Sequence, residues 1–249
     1  MDRSAFHRLF KTPGPVVTPV IHVQDRVQTL RNAAHAVRLG APGVFLINHD
    51  FPVADFLPIL RAVRADCPDL WIGVNFLAQS GRVAFPILGQ LAAENCGIDD
   101  YWADDACMDE RMGTQSEAEG IAAIRAVSGW RGLYFGGVAF KKQRPVDPTL
   151  HEHSARIALP FMDVVTTSGQ ATGHATDLAK IRAFRRGLGS APMAIASGIT
   201  PDNAAEYAAD VDCFLVATGI NAPGDFYNID PARLAALLQL SRDFGAPKP

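Results

Sequence analysis

Apolar runs alternate with amphipathic stretches along most of the chain, and the polar or glycine residues that end each run recur at similar intervals. Val16 to Val23 (VVTPVIHV) reads as a buried strand, weakened by Pro19 inside it. Asp25 then offers a helix cap, Val27, Leu30, Ala34, Val37 and Leu39 keep helical spacing, and Gly40 stops the helix. Gly43 to Asn48 is a second strand, followed by a helix near Val53 to Ala65 whose Pro58 predicts a kink or a later start. Trp71 to Leu77 is a third strand and Phe85 to Asn95 a third helix; Asp99 to Ala106 is a weak fourth strand before a helix at Ser116 to Val127. Gly132 to Phe140 is the fifth strand, with a helix near Pro148 to Ala158. Three more apolar runs lie between Met162 and Gly219, in MDVVTTSGQATGHATD, APMAIASGITPDN and VDCFLVATG, with helices near Asp177 to Arg186, Pro201 to Ala209 and Pro231 to Phe244.

These amount to eight strand-plus-helix repeats of roughly 25 to 35 residues, the length of one βα unit. Eight such units predict a single-domain (β/α)8 TIM barrel spanning residues 1–249, with residues 1–15 as an amphipathic lead-in. A doubly wound open sheet is the alternative, but a nucleotide-binding version needs a glycine-rich turn after the first strand, and HVQDRV has no glycine. Composition agrees with a globular chain: 48% of the 249 residues are hydrophobic and 20% charged. A net charge of −3 gives no basic footprint, so no nucleic-acid partner is expected. The four cysteines are widely spaced and form no ligand pattern, which fits thiols in a reducing compartment. No secretory h-region and no long uninterrupted apolar run is present, so a cytoplasmic protein without membrane insertion is expected.

The barrel assignment turns scattered polar residues into one rim, because chemistry in such folds sits at the carboxyl ends of the strands. Three glycine-hydroxyl arrays end strands six to eight: Ser168-Gly169 with Thr172-Gly173, then Ser197-Gly198, then Thr218-Gly219. The last two are predicted as a phosphate grip, since glycine allows close backbone approach and a helix amino end beyond it attracts an anion. The plainer reading is that the glycines end strands and the hydroxyls cap helices, as Thr200-Pro201 does. Asn75 is placed with the substrate-binding groups. The acid-base candidates are His22, Asp50, Asp104 and Lys141; adjacent residues face opposite ways, so only one each of His49-Asp50 and Asp104-Asp105 enters directly. Lys141 or Lys142 is read as a charge complement to an anion rather than as a covalent group, unless desolvated. The oxygen ligands are too scattered to assign a metal, and no cofactor is expected.

DVVTTSGQATGHATD, ASGITPDN and FLVATG together resemble the BtpA/SgcQ family, and WIGVNFL resembles its IGVN strand. The similarity covers roughly the last 90 residues and strand three. It implies a TIM barrel of undefined activity, with one branch linked to photosystem I biogenesis and another to sugar-metabolism genes. The chain departs from the family at VIHVQD, where a proline-rich IHLxPLPG-type opening is usual, and at the ATG of strand eight, where a GTS-like ending is common. A broader resemblance is to ribulose-phosphate barrels such as phosphoribosylanthranilate isomerase, but the cysteine and aspartate which that activity implies are replaced by His22 and a Thr-Ser-Gly run. The sequence therefore predicts a barrel acting on a small phosphorylated sugar or ribosyl compound, of isomerase or lyase type, in a fold that often forms homo-oligomers. A non-enzymatic assembly or regulatory factor and a metal-dependent hydrolase using His22, Asp50 and Asp104 are the competing readings.

Overall fold

The computed structural model describes residues 1–245. Eight parallel strands close into a barrel in sequence order: β1 (Val16–His22), β2 (Gly43–Ile47), β3 (Trp71–Asn75), β4 (Asp100–Ala103), β5 (Leu133–Gly137), β6 (Val164–Thr167), β7 (Met193–Ala196) and β8 (Cys213–Val216). The protein is a single-domain (β/α)8 barrel. β1 pairs with β8 over Val16 to Pro19 and with β2 over Val20 to His22. Pro19 sits where pairing passes from one neighbour to the other, which explains why a residue without an N–H is tolerated in a fully buried strand.

The lead-in is more than a tether. Asp2 caps a helix, α1 (Arg3–Phe10), through a 2.7 Å bond from the Ala5 N–H, and the helix lies across the amino-terminal end of the barrel. Phe6 and Phe10 enter the barrel interior with Val20, Phe45, Phe135 and Leu215. Arg3 and His7 bond Asp212, fully buried just before β8, at 2.6 and 3.0 Å. A second apolar layer lies between the strands and the surrounding helices, built from outward-facing residues such as Val44, Leu46, Tyr101 and Phe214.

Helices α2 (Arg26–Leu39), α3 (Val53–Asp66), α4 (Gly81–Ala93), α5 (Ser116–Val127), α6 (His151–Ala158), α7 (Leu178–Leu188), α8 (Ala204–Tyr207) and α9 (Pro231–Gly245) complete the repeats. α3 runs through Pro58 without a later start, and α4 begins four residues before the predicted Phe85 and contains Pro86. A 3-10 turn at Pro148–Leu150 leads into α6.

Two predictions need correction. The helix after β7 is a single turn of four residues, because Asn203 folds back to donate to the Gly198 carbonyl at 2.7 Å and accept from the Thr200 N–H at 2.9 Å, closing the segment as a turn. Much of the stripe that marks α2 in the sequence faces outward, with Val27 73% and Val37 53% exposed, while Leu30 and Leu39 pack at the edge of the core. Its inner face carries Gln28, Thr29 and Asn32, all buried. Gln28 and Asn32 donate to the Tyr227 carbonyl at 2.7 and 2.8 Å, and the Asn32 side chain accepts from the Ile229 N–H at 3.1 Å. α2 therefore satisfies the backbone of the segment after β8, which could not otherwise be buried at acceptable cost.

Removing one of these partners strands buried backbone groups. Asn32→Ala is expected to lower unfolding free energy by about 1–3 kcal/mol, whereas Val37→Ser should change it by less than about 0.5 kcal/mol, as read from urea denaturation of the two variants.

Candidate functional site

The strand alternation that places Val20, Ile47, Trp102 and Leu215 in the interior carries on past the strand ends and brings one set of polar residues into the barrel mouth. Of the sequence candidates, His22, Asp104 and Lys141 line this cavity on the β1, β4 and β5 side. Thr172, Gly173, Ser197, Gly198, Thr218 and Gly219 line it on the β6 to β8 side. Asn75 joins from behind, donating through Nδ2 to Asp104 at 3.0 Å, while its Oδ1 is buried without a partner. Three candidates stand elsewhere. Asp50 is exposed and accepts from the Tyr227 hydroxyl at 2.9 Å. The Ser168 hydroxyl is fully buried, accepting from the Lys141 N–H at 2.8 Å and donating to the Gly169 carbonyl at 2.9 Å. Gly169 is packed beneath the backbone of His174 and Ala175.

The β6 to β8 side is a set of interlocked loops. Ser197 holds a φ of 114°, a region that costs a non-glycine residue about 1–3 kcal/mol. Its hydroxyl donates to the Ala171 carbonyl at 2.8 Å and accepts from the Gly173 N–H at 3.2 Å, clamping the 169–176 loop to the rim. Gly198, at φ 71°, and Gly219 have no room for a side chain, because a Cβ would strike the His174 and Ile199 carbonyls respectively. These glycines let three strand ends pack together. The N–H groups of Gly198, Thr218 and Gly219 find no backbone acceptor among the described residues, so they remain as donors at the mouth.

The opposite wall has different chemistry. His22 Nδ1 donates to the Phe226 carbonyl at 2.7 Å, since a carbonyl can only accept, and this leaves Nε2 as the acceptor of a neutral ring. The ring stacks on Phe226 at 3.8 Å and 25°, and meets His49 edge-on at 4.6 Å. Burial pulls the His22 pKa down to about 4, with the Phe226 bond working against the shift. His49 is lowered by burial and then by Lys142. Burial raises Asp104, opposed by the Asn75 bond and by Lys141. Burial lowers Lys141, with Asp104 opposing. Lys142 also lines the cavity and is exposed. Among the described residues, no three His, Cys, Asp or Glu side chains come together as a metal-binding group.

His49 and Lys142 were weighed in the sequence as alternatives to Asp50 and Lys141, and Phe226 was not considered. His49 carried a signal: it shares the parity of inward Phe45 and Ile47, so it and not Asp50 had to face the mouth. Phe226 carried none, since its contact with His22 spans 204 positions.

The fold and mouth define a (β/α)8 barrel with a polar carboxyl-end cavity. Tryptophan synthase subunit alpha from Legionella pneumophila str. Paris has the same fold, at 17% identity and a TM-score of 0.65, over 98% of this chain and 99% of that one. Phosphoribosyl anthranilate isomerase from Thermus thermophilus aligns at 16% identity and 0.57, over 90% and 96%. A native KDPGal structure aligns at 12% and 0.60, over 92% and 95%. No protein-family model and no curated protein matches the chain. No helix among the described residues is long and apolar enough to cross a membrane.

Because the folded His22 pKa lies near 4 against an ordinary 6.5, the unfolded chain takes up a proton in this window that the folded protein resists. Stability present above pH 6.5 is thus lost as the pH falls toward 4. His22→Gln, which keeps a donor for Phe226, should make this decline shallower by up to about 3 kcal/mol, measured as denaturant midpoints at neutral and acidic pH. An unchanged slope would remove the buried neutral imidazole.

Proposed function

We propose that this barrel is an enzyme of BtpA/SgcQ-like type that binds a small phosphorylated sugar or ribosyl compound and catalyses an isomerase or lyase reaction by proton transfer. One observation carries the reading: a single cavity has unpartnered backbone N–H groups of Gly198, Thr218 and Gly219 on one wall and Asp104, Lys141 and His22 on the other. The donors suit a dianionic phosphate, for which oriented N–H groups supply charge-assisted hydrogen bonds. No helix amino end assists at β7, since α8 has four residues, so the loops bear the anion alone.

With the phosphate held there, the carbonyl end of a three- to five-carbon substrate reaches the opposite wall. Asp104, whose pKa is raised by burial, is the group suited to exchange a proton with a carbon next to the carbonyl. Lys141 lies beside it, facing the carbonyl end of the substrate. His22, neutral well below pH 7, accepts a substrate hydroxyl at Nε2 and fixes its orientation. The barrels named phosphoribosyl anthranilate isomerase and KDPGal share the architecture on which such a division of the mouth is possible.

The test is calorimetric titration with inorganic phosphate and with pentose phosphates. Micromolar to millimolar binding is expected, and Thr218→Asp, which puts a carboxylate on an exposed rim residue, should weaken it at least about tenfold by like-charge repulsion. Absence of binding in the wild type, or binding indifferent to Thr218→Asp, would defeat the phosphate reading.

A further inference from the structure

Two half-buried lysines near the ends of β5 and β6 are engaged in opposite ways. Lys180, on α7, spends its ammonium protons on the carbonyls of Ala139 and Ser168 at 2.5 and 2.8 Å, tying the ends of β5 and β6 together. Its pKa is lowered to about 8 by burial, yet its nitrogen is already occupied by structure. Lys141 is the reverse. Its backbone is fixed, with the N–H on the Ser168 hydroxyl at 2.8 Å and the Phe140–Gln143 turn closed on itself by bonds of 3.0 and 3.1 Å. Gln143 also donates to the Asp104 and Gly137 carbonyls at 2.8 and 3.0 Å, locking that turn to β4 and β5. The Lys141 Nζ itself lies 5.6 Å from the Phe140 ring centroid and makes neither hydrogen bond nor ion pair among the described residues. A lysine held at the backbone, half-buried, aimed into a cavity and left without a partner is disposed as a nucleophile and not as a structural cation.

From this geometry we infer that Lys141 forms a Schiff base with an aldehyde or ketone substrate in the barrel mouth, with Asp104 as the proton donor to the departing oxygen. The inference deepens the function proposed above and rests on it for the phosphorylated part of the substrate. In the first step the Lys141 nitrogen lone pair bonds to the carbonyl carbon, the π pair moves to oxygen, and the Asp104 carboxyl supplies the proton that makes it a hydroxyl. The nitrogen then loses a proton back to the Asp104 carboxylate, which returns it to the hydroxyl. In the last step the nitrogen lone pair forms the C=N bond as water departs, leaving the iminium. No oxidant or metal enters, and one water is released. Burial, which lowers Lys141 and raises Asp104, favours the free amine and the protonated acid that these steps begin with. Asn75 holds one Asp104 oxygen, so the other is the one presented to substrate.

The experiment is reductive trapping of the full chain. The protein is incubated with sodium cyanoborohydride and, in parallel, dihydroxyacetone phosphate, ribulose 5-phosphate or unphosphorylated glycolaldehyde, then mapped by peptide mass spectrometry. A stable adduct on Lys141 is expected, at least about tenfold above Lys11, Lys142 or Lys180, absent in Lys141→Met and retained in Lys11→Met. Circular dichroism and phosphate titration of Lys141→Met verify its fold. Label spread evenly over the lysines, or persisting in Lys141→Met, overturns the inference. Phosphate binding by calorimetry without a Lys141 adduct overturns it while leaving the anion grip intact. A Lys141 adduct with glycolaldehyde in a protein that binds no phosphate supports the lysine and overturns the phosphate reading instead.

Discussion

Closure of the sheet through β1 is the constraint from which the rest of the molecule follows. Eight short strands leave no edge only if β1 serves β8 with its first half and β2 with its second, and the handover falls at Pro19. That stagger tilts every strand and fixes which residues point inward. It puts Val20 and His22 on the same inner face as Phe45, Ile47 and Trp102. The interior is then filled from below by Phe6 and Phe10 of α1, so the polar residues of inward parity meet at the carboxyl end, where the strands run out of apolar side chains. The site is a consequence of register before it is a consequence of loops.

The segment after β8 shows how loop and barrel chemistry are joined. Its Phe226 carbonyl accepts from both His22 and the Asn221 side chain, at 2.7 and 2.9 Å, and its Tyr227 carbonyl accepts from Gln28 and Asn32. A backbone that crosses the rim must have its polar groups met, and α2 does so with Gln28 and Asn32, placed on its buried face beside Ala33 and Ala36. The tautomer of His22 is therefore set by a loop some 200 positions away, and that loop is in turn fixed by the polar face of α2.

The eight strands were legible because a strand buried on both faces is a continuous apolar run, and runs such as GVFLI and WIGVN are unambiguous. Parity alone distinguishes Asp104, which follows inward Trp102 by two, from Asp105. What was hidden depended on pairings that sequence proximity does not encode. α2 misled because helical spacing of Val27, Leu30, Ala34 and Val37 is a statement about one face, and nothing local says which face meets the barrel. Asp50 looked equivalent to His49 until Tyr227, 177 positions away, engaged it. The one-turn α8 follows from a side chain, Asn203, that caps its own loop. Lys141 read as a charge complement beside Lys142, and its half-burial beside Asp104 depends on the folded ends of β4 and β5.

The adjacent lysines then divide the electrostatics of the mouth between them. The chain carries a net charge of −3, yet the cavity has few fixed negative groups: burial disfavours the Asp104 carboxylate, and both histidines are biased to their neutral form. Lys142, exposed at the opening, is close enough to disfavour protonation of both His49 and Lys141. Lys142 thus places an exposed positive charge at the opening, and that charge opposes protonation of the half-buried Lys141. The difference between the two lysines is one of burial: Lys141 is half-buried and Lys142 exposed, although they are consecutive in the chain.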